Sequence, residues 1–191
     1  MDRAQVAAES IKKQTGASHV CGLANESAAG KADVVVISVP FGGLLETLRA
    51  IKPSLRQGQT LVNVTVPLET TVGGRATRTL NLWEGSAGEV VAKMAPKGVR
   101  VVSAFNNVSS ELLNDISREV DCDILVCGND EEAKRIVFDL VTALPGARAV
   151  DAGPLENSRT IEQITALLVS LNIRYGVKNA GIRITGVAPR P

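Results

Sequence analysis

A chain of 191 residues with 45% hydrophobic residues can bury one sizeable core, and a net charge of +1 gives no excess charge that would attract a polyanion. An aromatic content of 3% argues against a stacking platform for single-stranded nucleic acid, and the single histidine, His19, argues against a metal site. No apolar run approaches the roughly 18 residues that a membrane helix needs. We expect no signal peptide, and three cysteines without C-x-x-C spacing predict a reducing cytoplasm.

Apolar residues at helical spacing alternate along the chain with short β-branched runs, most of which end in Gly, Pro, Asn or Asp. In chain order the pattern predicts helix 3–14, strand 18–22, helix 25–30, strand 34–39, helix 44–51, strand 60–66, loop 73–84, helix 88–94, strand 99–105, helix 109–116, strand 123–127, helix 131–144, strand 147–151 and helix 157–175. Ser109 or Ser110 stands where one helix N-cap is expected, and Asp130 where another is expected. Strands and helices that alternate at these lengths predict an α/β fold with a mainly parallel sheet.

The stretch from Ala32 to Phe41 is the first candidate for a cofactor site. Its continuous run of Val and Ile predicts a strand buried on both faces, and the run stops at Pro40, with two glycines before the next helix. Open α/β sheets bind ligands at the carboxyl ends of their strands, so residues 38–41 are where a cofactor is expected. The alternative is an ordinary core strand followed by an ordinary turn.

The 191 residues contain no G-x-G-x-x-G motif, the loop that holds a dinucleotide's pyrophosphate at a helix N-terminus. The chain opens in what resembles the second helix of such a fold, and the first strand, which is missing, would be central in the sheet. Three explanations stay open: the chain is N-terminally truncated, a partner segment completes the sheet, or the sheet has rearranged. Within these 191 residues we expect strand 34–39 to have one side vacant.

Three stretches together resemble one family. They are VVVISVPF (Val34–Phe41), VRVVSAFNNVSS (Val99–Ser110) and VCGNDEEAKRIV with DAGPLENSR (Val126–Val137 and Asp151–Arg159). In this order and spacing the chain resembles, from about Gln5 to Gly186, the NADPH-dependent reductases of the deazaflavin coenzyme F420. The resemblance implies a Rossmann-like, mainly parallel sheet that lacks its first strand and glycine-rich loop, with a C-terminal helical appendage. It divides the chain into a partial NADP-binding domain, 1–152, and a helical segment, 153–191, with deazaflavin and dimer contacts.

The same resemblance implies the cofactor contacts. Val39 and Pro40 would flank the nicotinamide half of NADP, and Val66 and Ser110 would add contacts. The Ser-Arg pair that meets the 2′-phosphate in the family is absent here, and Arg3 is a substitute candidate or a solvated residue at a helix start. Asn106 stands where a His is expected.

The resemblance implies hydride transfer between NADP(H) and coenzyme F420, which needs stacked rings and no protein nucleophile. Small residues at strand ends permit close approach of the rings. The predicted cofactor-binding residues are Arg3, Ser38, Val39, Pro40, Phe41, Val66, Ser103, Ala104, Asn106 and Ser110. Two other functions stay open: a non-catalytic dimerising remnant without a complete cofactor site, and an NADP-dependent reductase of a small imine or ketone. We expect a homodimer that binds neither nucleic acid nor membrane.

Overall fold

The computed structural model describes residues 3–188, which form a five-stranded sheet with helices on both faces. The strands are β1 Val34–Ile37, β2 Thr60–Asn63, β3 Arg100–Ser103, β4 Asp123–Gly128 and β5 Arg148–Asp151. The helices are α1 Arg3–Thr15, α2 Asn25–Lys31, α3 Phe41–Ile51, α4 Ala87–Met94, α5 Ser110–Asn114, α6 Glu131–Thr142 and α7 Ser158–Tyr175. No helix among these residues combines the length and the apolar character that crossing a bilayer requires.

The strands lie in the order β1-β2-β3-β4-β5. Three neighbouring pairs are parallel, and β3 and β4 are antiparallel, with Val102 opposite Gly128. The prediction of a mainly parallel Rossmann-like α/β fold is therefore confirmed. Because β1, β2 and β3 are parallel neighbours, their carboxyl ends meet at one edge of the sheet.

Alternate residues of the strands build the two faces of the core. Leu61 belongs to the cluster that includes Leu44 and Leu48 of α3, whereas its neighbour Val62 belongs to the cluster on the α6 face. Each of these leucines is almost fully buried, which contributes roughly 2 kcal/mol per side chain. On β4, Leu125 packs with Ile161, and this contact places α7 against the sheet.

Strand β1 lies at an edge of the described sheet. It pairs with β2, and no other strand within residues 3–188 pairs with its second side, as expected for strand 34–39. A groove of about 240 Å³ runs along this side, with α2 and α3 contributing to its walls. The prediction that this strand is buried on both faces is wrong for β1, because Val36 is 49% exposed and only Ile37 of its four residues is buried.

The structure corrects two further local predictions. Residues 18–22 form a turn and an irregular segment, not a strand, since they pair with none of the described strands. Gly42 and Gly43 lie inside the first turn of α3, not in a loop before it. Pro40 is the residue before that turn, where the missing N–H of proline leaves no hydrogen bond unmade, so α3 can begin at Phe41.

Candidate functional site

A cavity of about 650 Å³ lies at the carboxyl ends of β1, β2 and β3. Its walls come from those strand ends and from α5 and α6, and they are Val36, Ser38, Val64, Phe105, Asn106, Val108, Ser110, Leu113, Leu140 and Leu144. The structure thus brings together three of the predicted site residues, Ser38, Asn106 and Ser110. None of the lining residues is ionisable, so the cavity presents an apolar surface with a few neutral polar groups.

The other predicted residues differ in their access to solvent. Val39 and Phe41 are half-buried, Pro40 is exposed, and Val39 also borders the groove beside β1. Val66 is half-buried just beyond the end of β2. Arg3 is exposed in the first turn of α1 and is not among the residues that line the cavity.

Ser103 and Ala104 are fully buried beneath the surface of this edge. Their small side chains lie below the cavity and do not line it. A direct cofactor contact from either residue stays a prediction. What the structure shows for Ser103 is a supporting hydrogen bond, which its hydroxyl donates to Asn106 Oδ1 over 3.2 Å.

The backbone at Phe105 is strained. With φ of 62°, it is the one non-glycine residue with positive φ in the described part of the chain. A bulky residue in this region costs on the order of 1–2 kcal/mol, and such strain persists only where the surroundings enforce it. Phe105 lines the cavity, while the next residue, Asn106, is only 5% exposed.

The side chain of Asn106 is held from below. Its Nδ2 donates to the carbonyl of Thr65 over 3.3 Å, and its Oδ1 accepts from Ser103. The carbonyl of Asn106 accepts from the Thr165 hydroxyl of α7 over 2.8 Å. Both ends of the side-chain amide are therefore directed to protein groups.

Thr65 connects the end of β2 to the end of β1. Its hydroxyl donates to the carbonyl of Val39 over 3.1 Å, and its N–H donates to Asn63 Oδ1 over 3.2 Å. Thr65 and Asn63 are both buried, which requires such partners. Sequence reasoning missed Asn63, Thr65 and Thr165. Polar residues within the predicted strand TLVNVTV were the available signal for the first two.

A second cavity, of about 430 Å³, lies between the loop that carries Asn106 and helix α7. Asn106, Ser110 and Thr165 all contribute to its walls. Because Asn106 and Ser110 also line the first cavity, they lie between the two cavities. At its rim Lys178 Nζ lies 2.9 Å from Glu111 Oε1. This second cavity is polar on its loop side, in contrast to the first.

Helix α7 is fixed to α4 by a buried carboxylate. Glu162 accepts hydrogen bonds from the N–H groups of Ala87 and Gly88 over 3.0 and 3.1 Å, and the hydroxyls of Ser86 and Ser158 lie 2.6 Å apart beside it. Burial raises the pKa of Glu162 to about 7, against the lowering effect of the two N–H groups. This junction sets the position of α7 and therefore of Thr165.

The site can position a ligand and shield it from water, and the residues that line it include no nucleophile with an adjacent base and no set of metal ligands. Within residues 3–188, no cluster of three or more His, Cys, Asp or Glu side chains could hold a metal ion. The buried thiol of Cys127, whose pKa burial raises to about 12, is a poor nucleophile. A small molecule with a largely apolar body suits such a cavity.

Comparison with known proteins points to one kind of reductase. The family model described as NADP oxidoreductase, coenzyme F420-dependent, matches residues 1–67. An F420-dependent NADP reductase of Methanocaldococcus jannaschii is 46% identical over 186 residues, which are 97% of this chain and 82% of that protein. The protein of the same name from Methanothermobacter thermautotrophicus is 42% identical over 97% of this chain and 81% of its own length.

A solved structure agrees with these relatives. A crystal structure from Arthrobacter sp. FB24, described as a candidate F420-dependent NADP reductase, superposes with a TM-score of 0.77. It is 27% identical and covers 87% of this chain and 76% of its own.

Proposed function

This chain belongs to the family of F420-dependent NADP reductases, and we propose that it transfers a hydride between NADP(H) and coenzyme F420. The observation that carries the proposal is the cavity of about 650 Å³ at the carboxyl ends of β1–β3, whose walls are apolar or neutral. Its volume lies within the range of about 300–1,000 Å³ that is usual for small-molecule sites. An enzyme whose two reacting atoms both belong to cofactors needs such a space and no ionisable catalyst.

When bound together, the nicotinamide and the deazaflavin would supply the redox chemistry. A hydride, with its two electrons, would pass from one ring to the other, and one proton would be exchanged with solvent. The residues of this chain hold the rings and exclude water. We assign Ser38, Val39 and Pro40 to the nicotinamide side, and Asn106 and Ser110, which face both cavities, to the boundary with the deazaflavin. Phe41, Val66, Ser103 and Ala104 support these contacts from the same three strand ends. Arg3 is our candidate for the 2′-phosphate of NADP.

The proposal is tested by mixing the chain with NADPH and oxidised F420 and following both chromophores. We expect equal amounts of NADPH to be consumed and F420 to be reduced. If calorimetry detects no NADPH binding and no F420 is reduced, the chain is instead a non-catalytic module. Turnover with a small imine or ketone but not with F420 would also overturn the proposal.

A blocking substitution tests the location of the site. Ser38→Phe places a ring in the cavity, so we expect a loss of turnover of at least tenfold with an unchanged melting temperature. The matched control is Ser10→Phe, which adds the same ring to the exposed surface of α1 and should leave turnover unchanged. Equal turnover in Ser38→Phe and wild type would show that the rings do not bind at this cavity.

We also propose a homodimer formed through the C-terminal segment 153–191, in the reducing cytoplasm. Leu167, Ile173 and Tyr175 of α7 are 56–70% exposed, a large apolar surface for one helix. All three cysteines are free, and two of them are buried, which suits a reducing compartment. Sedimentation equilibrium of the wild-type chain tests the dimer.

A further inference from the structure

We propose that Thr65 and Thr165 are positioning residues that fix the distance between the two sides of the cavity. The inference rests on the proposed function, because it assigns Ser38 to one ring and Asn106 to the other. Neither threonine lines the larger cavity, and Thr165 lines only the second one. Each acts through a backbone carbonyl of a neighbouring loop.

Thr65 fixes the loop after β1. Its hydroxyl lies 3.1 Å from the carbonyl oxygen of Val39 and 3.5 Å from that of Ile37, the last residue of β1. Residues 38–40 have no regular secondary structure, so this hydroxyl supplies an anchor that the sheet does not. Thr65 is 4% exposed, and a hydrogen bond formed away from water is a firm constraint.

The carbonyl of Thr65 continues the connection toward β3. It accepts from Asn106 Nδ2 over 3.3 Å and from Asn63 Nδ2 over 3.2 Å. Asn106 follows the strained residue Phe105, and such strain persists only where the surroundings enforce it, as the hydrogen bonds of Asn106 do. One hydrogen-bonded chain thus joins the loop after β1 to the loop after β3.

Thr165 secures the far end of this chain. Its hydroxyl donates to the carbonyl of Asn106 over 2.8 Å, and α7 is itself fixed to α4 through Glu162. The series of contacts is therefore α7, Thr165, Asn106, Thr65 and Val39. It couples the placement of α7 to the loop that carries Ser38.

Hydride transfer depends steeply on the separation of the reacting atoms, and a misplacement of about 1 Å can cost a hundredfold in rate. Thr65→Val keeps the shape of the side chain and removes the hydroxyl. We expect single-turnover hydride transfer to fall by roughly tenfold to a hundredfold, with the dissociation constant of NADPH changed by less than about threefold. Thr65→Ser restores the hydroxyl and should recover most of the rate.

The chain offers a matched control in Thr60→Val. Thr60 lies in β2 with no exposed surface, and its hydroxyl has no hydrogen-bond partner among the described residues. The same substitution there should leave hydride transfer unchanged. Thr165→Val should slow hydride transfer as Thr65→Val does. The fold-loss in rate of the double variant should be smaller than the product of the two single-variant losses, because both threonines act through one network.

A second readout does not depend on turnover. Amide hydrogen exchange of the free protein should be faster at residues 38–43 in Thr65→Val than in wild type, and unchanged there in Thr60→Val. If the wild-type protein transfers no hydride, only the proposed function is overturned. The hydrogen-exchange measurement then still decides whether Thr65 is a positioning residue. Thr65→Val with wild-type exchange at residues 38–43, or with wild-type transfer in an active enzyme, overturns the inference.

Discussion

At the scale of single residues, the site depends on polar groups that are buried behind it. Ser38 and Ser110 are exposed in the cavity wall, but Asn63, Thr65 and Ser103 lie at most 4% exposed beneath them. Deleting a partner of such a buried group leaves the other unsatisfied, at a cost of about 1–3 kcal/mol. The buried hydrogen bonds therefore hold the loops that form the cavity wall in place.

Phe105 provides a test of stored strain. Phe105→Gly and Phe105→Ala remove the same ring from the core, but only glycine adopts a φ of 62° without steric cost. We expect Phe105→Gly to be more stable than Phe105→Ala by about 1 kcal/mol in urea unfolding. Equal stability of the two variants, or a more stable alanine variant, would show that the backbone relaxes and stores no strain at this position.

The convergence of the strand ends at the candidate site could be predicted from the sequence, and the hydrogen bonds that support the site could not. Ser38, Asn106 and Ser110 follow strong strand patterns, so their convergence follows from parallel strand order alone. Thr65 and Thr165 reach Val39 and Asn106 across separations of 26 and 59 residues. Periodicity carries no information about side-chain hydrogen bonds over such separations.

At the scale of elements, the approach of α7 to α4 requires a residue without a side chain. A Cβ at Gly88 would lie 2.9 Å from Ser158 Oγ and 3.2 Å from Ser158 Cβ. Gly88 also donates its N–H to Glu162, so a displacement of α4 would weaken this buried contact. The two helices are thereby held at one separation.

Gly88→Ala should accordingly destabilise the fold by about 1–3 kcal/mol, measured by chemical denaturation, because overpacking forces the helices apart. Gly43→Ala in α3 is the control, since no atom lies within 4 Å of a Cβ built there. This control should be neutral or stabilising by up to about 1 kcal/mol, as alanine favours the helix. A Gly88→Ala variant as stable as Gly43→Ala would mean that the junction adapts.

The elements themselves were largely predictable, and their ends were not. The β-branched runs identified all five strands of the described sheet. Asp130 accepts the predicted N-cap hydrogen bond, and of the two candidates Ser109 and Ser110 it is Ser109 that caps α5. The first three strands end at Ile37, Asn63 and Ser103, two or three residues earlier than predicted, because their last residues turn to form the site. The antiparallel pairing of β4 with β3 has no signature in periodicity, since both orientations repeat every two residues.

At the scale of the whole molecule, two buried carboxylates hold distant parts of the chain together, and their pKa values are shifted in opposite directions. Asp123, with no exposed surface, accepts hydrogen bonds from Arg148, Arg183 and the N–H of Ile184, and so fixes the C-terminal segment to β4. Burial alone would raise the pKa of Asp123, but these contacts outweigh burial and lower that pKa to about 2. Its contribution is present above the unfolded value of about 3.9 and is lost as the pH falls through about 2.

The raised pKa of Glu162 has the opposite effect on stability. It makes the free energy of unfolding decline as the pH rises toward alkaline values. Burial raises the pKa of Glu162 from 4.5 to about 7, so the folded protein binds more protons than the unfolded chain between these values. Its contribution is complete below about pH 4.5 and is lost as the pH rises through about 7, a change on the order of 3 kcal/mol.

Urea unfolding at pH 5, 6, 7 and 8 should show this decline in the wild type, and Glu162→Gln should remove it. The control Glu46→Gln changes an exposed residue of α3 and should keep the wild-type slope. If Glu162→Gln keeps that slope too, the decline arises elsewhere and Glu162 is ionised throughout this range.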